Sequence, residues 1–322
     1  ISCQLIKNGV NLNMDKKFFS KIGFNYLILG ITALIFQVLV ISLVSASNIP
    51  ILTDSNITVI LVAICNYVLP LPIFLYLMNK FESSEIEKES VDLKTFIKYI
   101  AITITLMLIG NLIGIILTTI IGGAIQSEIS NPVENLINST NIWLNLALIS
   151  IIGPIFEEIL FRKILIDKTI KYGARISIII SALLFGLFHG NVNQFFYAFL
   201  MGGFFAYVYI KTGKIIYPII LHLIVNLMGS VISLKLIQSI SNLYSGSINL
   251  FDASFVIIYV IIILILVTIG LILLLTKFKT AKFKGSKTKI NLKKPFKTSL
   301  INVGMICFII FYLIQIISTL LS

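Results

Sequence analysis

Uninterrupted apolar runs of about 20 residues constrain this chain more than any other feature. The stretch 255–275, FVIIYVIIILILVTIGLILLL, is one of them and holds no charged residue. Wound as a helix, such a run crosses roughly 30 Å of hydrocarbon. Inside a bilayer every backbone amide needs a partner within the protein, and a helix supplies it from its own segment. We read nine runs, at about 23–46, 57–79, 96–122, 143–161, 174–190, 192–210, 214–234, 252–276 and 299–321. Of 322 residues, 58% are hydrophobic and only 12% charged, too few polar side chains to cover a soluble domain of this length. The expected fold is all-α, a polytopic bundle of about nine transmembrane helices.

The basic residues orient that bundle. Lys7, Lys16, Lys17 and Lys21 precede the first run, and the next loop has none. Basic residues return after runs 2, 4, 6 and 8. Of the 25 lysines and arginines, only Lys235 falls on the opposite set of loops. This is the positive-inside pattern of a multi-pass membrane protein, with a cytoplasmic N-terminus and an external C-terminus. The Ile-, Asn- and Lys-rich composition fits an AT-rich bacterial genome, so a bacterial cytoplasmic membrane is expected. The net charge of +12 is explained without nucleic acid. The basic loop 277–297 is expected to lie against anionic headgroups.

We divide the chain into a cytoplasmic N-terminal segment 1–22, with Met14 as a natural start, spans 1–3 over 23–142, a core of spans 4–7 over 143–231, and spans 8–9 with the basic loop over 232–322. Cys3, Cys65 and Cys307 are too scattered to suggest a disulfide framework or thiolate metal site.

The core carries the chemistry. GPIFEEILFRKIL, residues 153–165, places Glu157 and Glu158 in or beside an apolar run. Glu158 and Arg162 are four apart, on one helical face, and are expected to form a structural ion pair. Glu157 lies about 100° round the helix from Glu158 and lacks such a partner. An unpaired acid in a span usually faces a polar interior and marks function. The chain's two histidines, His189 and His222, also fall in spans, with Phe185 four before the first and Asn226 four after the second. Ala182, Gly186 and Gly190 form a small-residue ridge suited to close helix packing.

In order along three spans, Glu157-Glu158-x-x-x-Arg162, Phe185-x-x-x-His189 and His222-x-x-x-Asn226 resemble the motifs of the CAAX-processing and bacteriocin-processing intramembrane proteases. That family is also called Abi, lysostaphin resistance protein A-like or type II CAAX prenyl endopeptidase. The resemblance covers about residues 143–231. It implies hydrolysis of a peptide bond in a hydrophobic or membrane-associated peptide, for maturation, CAAX-type processing or bacteriocin self-immunity. It assigns Glu157 and His189 to holding and activating water. His222 and Asn226 are assigned to polarising the carbonyl and stabilising the oxyanion. Glu157, His189 and His222 are also candidate zinc ligands, but no HExxH pair preorganises a site, and no obligate cofactor is expected. Two alternatives stay open. One is a non-catalytic scaffold or immunity protein that binds a peptide. The other is a transporter, which lacks the expected internal repeats here.

Depth counting raises a difficulty, since Glu157 falls near the cytoplasmic side and His189 near the outside. The three groups meet only if spans 5 and 6 are short and joined below the outer surface by GNVN, a polar turn tolerated only beside a protein cavity. The stretch ILIDKTIKYGAR is also readable as an amphipathic helix along the cytoplasmic interface.

Overall fold

A computed structural model describes residues 2–46, 54–127, 129, 131–246, 249–277 and 290–321. Among these the regular structure is helical throughout, with no strand. Eleven helical stretches follow one another: α1 (Ser2–Ala46), α2 (Ser55–Met78), α3 (Leu93–Ile125), α4 (Pro132–Ser139), α5 (Ile142–Tyr172), α6 (Ala174–Phe188), α7 (Val192–Thr212), α8 (Ile216–Tyr244), α9 (Leu250–Lys277), α10 (Pro295–Leu300) and α11 (Val303–Leu321). Most of the basic run 277–297 lies outside the described residues.

Among the described residues eight helices are long and apolar enough to cross a membrane, one fewer than the nine runs read from sequence. The odd one is α6, whose 15 residues span only about 22 Å. Packing shows that it still carries the chain from one face to the other. A Cβ on Gly23 would run into the backbone of Gly304 and Met305, and one on Gly30 into Tyr312. Residues ascend together in both helices, so α1 and α11 are parallel. Parallel first and last spans require an odd number of passes, which α6 completes.

Glycines set the other close pairs. Gly110 of α3 lies against the backbone of Tyr197, and Gly114 against the carbonyl of Asn193, so α3 and α7 run antiparallel. Gly270 of α9 lies against Ala101 and Thr105 of α3, again antiparallel. Gly186 of α6 meets Phe195 and Phe199, while Gly202 of α7 returns to Ala182 and Phe185. Without side chains at these positions the backbones approach closely, where lipid offers no hydrophobic drive to helix association. Gly190 does not join the ridge. It lies past the helix end with φ +65°, in the turn that leads into α7.

The fourth span is longer than its hydropathy suggests. α5 runs on to Tyr172, with Leu165, Ile166 and Ile170 buried rather than lying along an interface. The helix therefore continues past Arg162, whose side chain is fully buried in the protein. This moves Glu157 to the middle of α5. The turn 189–191 lies at the end of short α6, so the depth difficulty disappears. The off-pattern Lys235 is neutralised, its Nζ 3.0 Å from Oδ1 of Asp252; that oxygen also accepts from Ser239, and Oδ2 accepts from Asn242 and Asn249.

Candidate active site

α5 positions the two glutamates. π-turns at Asn145–Ile152 and Ile159–Ile164 flank a regular turn, Gly153–Glu158. Such wide turns are frequent at functional sites, since the extra residue swings side chains off the regular face. Glu158 and Arg162 meet as spacing suggests, with Nε 3.1 Å from Oε2 and both side chains fully buried. The pair is a charge contact, since the guanidinium nitrogens have no hydrogen-bond partner among the described residues. Arg162 instead lies over the Phe185 ring at 4.1 Å and beside Phe205 at 5.4 Å. Gly202 makes that stack fit, since a Cβ there would press on Phe185.

Glu158 has a second role that spacing did not reveal. Its Oε1 lies 2.8 Å from His222 Nδ1. With Glu158 ionised beside Arg162, Nδ1 is the donor, which leaves Nε2 to face the other way. There it meets Glu157, with Oε2 at 3.6 Å. The remaining oxygen of Glu157 accepts a 2.8 Å hydrogen bond from the Tyr67 hydroxyl. His222 thus stands between two carboxylates, one held by an arginine and the other by a tyrosine.

His189 is oriented from its own helix. Its Nδ1 lies 2.8 Å from the Phe185 carbonyl, which can only accept, so Nδ1 carries the proton and Nε2 keeps a lone pair. The Phe185 ring meets His189 edge-on at 4.8 Å and His222 at 5.7 Å. Asn226 donates from Nδ2 to the Ile149 carbonyl at 2.9 Å, leaving its Oδ1 and second N–H. Glu157, His189, His222 and Asn226 line one cavity of about 280 Å³, with Tyr67 and Tyr197 on its wall. Glu158 and Arg162 stand behind it.

Tyr67 escaped the sequence reading. It sits in a π-turn of α2, Ile64–Val68, ninety positions before the carboxylate it holds. A signal existed, since Asn66-Tyr67 is a polar pair within an apolar run. Asn66 is itself held by Gln37 of α1 at 2.6 Å. Glu157, His189 and His222 make a plausible donor set for zinc. Among the described residues, however, no three His, Cys, Asp or Glu side chains converge as a metal-holding group.

Comparison with known proteins falls on this region. A family model, Type II CAAX prenyl endopeptidase Rce1-like, matches residues 139–228. YdiL of Bacillus subtilis (strain 168), which bears the name of a membrane peptidase, is 31% identical over 118 residues, 35% of this chain and 46% of that protein. The membrane-embedded CAAX protease MroQ of Staphylococcus aureus (strain USA300) is 32% identical over 133 residues, 39% of this chain and 52% of that protein. The chain thus spans about half the length of the curated relatives it matches. No solved structure matches it. The segment that carries Glu157, His189, His222 and Asn226 is accordingly a match to the Rce1-like type II CAAX prenyl endopeptidase family, carried in a multi-pass membrane protein.

Proposed function

We propose that this protein is an intramembrane endopeptidase that cleaves a hydrophobic or membrane-associated peptide with water activated by Glu157. The observation that carries the reading is His222 between Glu158 and Glu157 on the wall of a cavity shared with His189 and Asn226. Peptide hydrolysis needs a base for water, a stabiliser for the oxyanion and a proton for the leaving amine. Glu157 and the free Nε2 of His189 face the cavity as the groups that hold and deprotonate water. The resulting hydroxide adds to the carbonyl carbon. His222 Nε2, when it carries a proton, and the spare Asn226 N–H stabilise the oxyanion. Glu157 then returns its proton to the departing nitrogen as the C–N bond breaks.

No step runs through a metal. The bilayer and a hydrophobic or membrane-associated peptide are the partners this reading requires. The test is cleavage of such a peptide by purified protein in lipid. Glu157→Gln, His189→Ala and His222→Ala should each nearly abolish turnover. Asn226→Ala should keep measurable activity, since losing one oxyanion donor costs about 10²–10³ in rate. A strong chelator should leave the rate unchanged, whereas loss with recovery on adding Zn²⁺ would make the metal part of the mechanism. Full activity in Glu157→Gln would remove Glu157 from the mechanism, and peptide binding without cleavage by the parent protein would favour a scaffold.

A further inference from the structure

A second cavity, of about 370 Å³, adjoins the first, and Val133, Ile149, Gln194, Tyr197 and Asn226 line both. Its walls come from one half of the bundle. They are the middle of α3, the first turns of α7, the later part of α8, Ile149 of α5, and α4 with the residue before it. This is the half towards the lysine-poor face, where the chain turns at 126–141 and 188–192. Its depth is graded. Met107, Val225 and Ser230 are buried, whereas Glu134, Asn138 and Ile237 at the rim are exposed.

The chemistry of the wall is that of amides. Asn111 stands near the middle of α3, well inside a membrane-crossing helix. An asparagine at that depth is costly unless its amide is satisfied. It faces this cavity, and no side-chain hydrogen bond satisfies it within the described protein. Asn138 at the rim and the spare Asn226 groups at the junction add further donors and acceptors. Asn side chains offer one acceptor and two donors each, the complement of peptide C=O and N–H groups. Glu134, at the rim, is the one charged lining residue. A lipid tail could pack on Met107, Val133 and Ile137 but would leave the amides unpaired, and an ion finds no converging charge.

We infer that this second cavity is a binding cleft for an extended, uncharged stretch of peptide, entered from the lysine-poor face and delivering the chain past Asn226 to Glu157 and His222. The inference rests on the protease reading for what becomes of the peptide, but binding is testable without turnover.

The experiment places single cysteines at Asn138→Cys and Ser233→Cys in the cleft and at Glu85→Cys on the lysine-rich face. Right-side-out vesicles are treated with a membrane-impermeant maleimide, and labelling of the parent protein is subtracted. Asn138→Cys and Ser233→Cys should label in sealed vesicles, and Glu85→Cys only after permeabilisation. The probe is an acetyl-capped six-residue peptide of alternating leucine and serine. At roughly four times its dissociation constant, it should slow cleft labelling about fivefold, in Glu157→Gln as in the parent. Glu85→Cys should not be protected. Asn111→Leu, a change α3 should accept in lipid, should abolish protection. Cleft labelling from the lysine-rich side alone, or rates unchanged by peptide, would overturn the inference. Protection without cleavage in the parent would keep the cleft and remove the protease. Glu157-dependent cleavage with unprotected thiols would do the reverse.

Discussion

Tyr67 and Glu157 meet across ninety residues, and their contact offers a sharp test of the site. Tyr67→Phe removes one oxygen and leaves the ring stacked on Phe156 at 5.6 Å. A hydrogen bond to a charged group contributes about 1.5–3 kcal/mol. Cleavage should therefore fall roughly ten- to a hundredfold with expression unchanged. An unaltered rate would show that Glu157 does not depend on the phenol. The ion pair behaves differently. Glu158→Gln and Arg162→Met each leave an uncompensated charge in a fully buried place, a loss of about 3–5 kcal/mol. Both should reduce yield and thermal stability more than Glu157→Gln. Glu158→Gln should also slow cleavage among molecules that fold, because it releases His222. Equal melting temperatures for the three variants would contradict the burial of the pair. Glu157, Glu158, Arg162 and both histidines were legible in the sequence because polar residues stand out in apolar runs. Tyr67 stood out only as half of a polar pair, and its role was hidden because it arises from a contact that no local spacing encodes.

At the scale of the helix, hydropathy found the spans and misjudged one end. Arg162, Lys163 and Lys168 read as the charges that close a span, yet α5 continues through all three. Arg162 is absorbed by Glu158 and two aromatic rings, Lys163 pairs with Asp167, and Lys168 donates to the Phe81 carbonyl. A hydropathy sum counts each charge as exposed and cannot see compensation. The glycines make the helix-scale prediction. Gly110→Ala forces a methyl into the Tyr197 backbone, an overpacking cost of about 1–3 kcal/mol, and displaces a residue shared by both cavities. Gly123, on the same helix, has open space beside it. Gly123→Ala should be neutral or slightly stabilising, since alanine forms helix about 1 kcal/mol better than glycine. Thermal melting of the two variants in detergent checks the pair, and similar shifts would refute the close approach of α3 and α7.

For the whole molecule, alternation of charge and parallel packing of α1 with α11 are independent observations that agree on an odd number of passes. Tags at the two ends of the chain should therefore be reached from opposite sides of the membrane. Cysteines near Asn135 and Ser245 should share the side of the C-terminal tag, and one at Glu85 that of the N-terminal tag. Both tags on one side would mean that α6 does not complete a crossing. The same parallel pair bears on biosynthesis. The amide of Gly304 donates to the Ser20 hydroxyl across 284 positions, and α11 packs into the groove that Gly23 and Gly30 leave on α1. At about 5–20 residues per second, a ribosome needs on the order of tens of seconds to travel from one to the other. Through that interval the first helix waits in lipid with a bare notch in its side. A chaperone or insertase holding nascent membrane chains would find there a surface that stays incomplete until α11 is made.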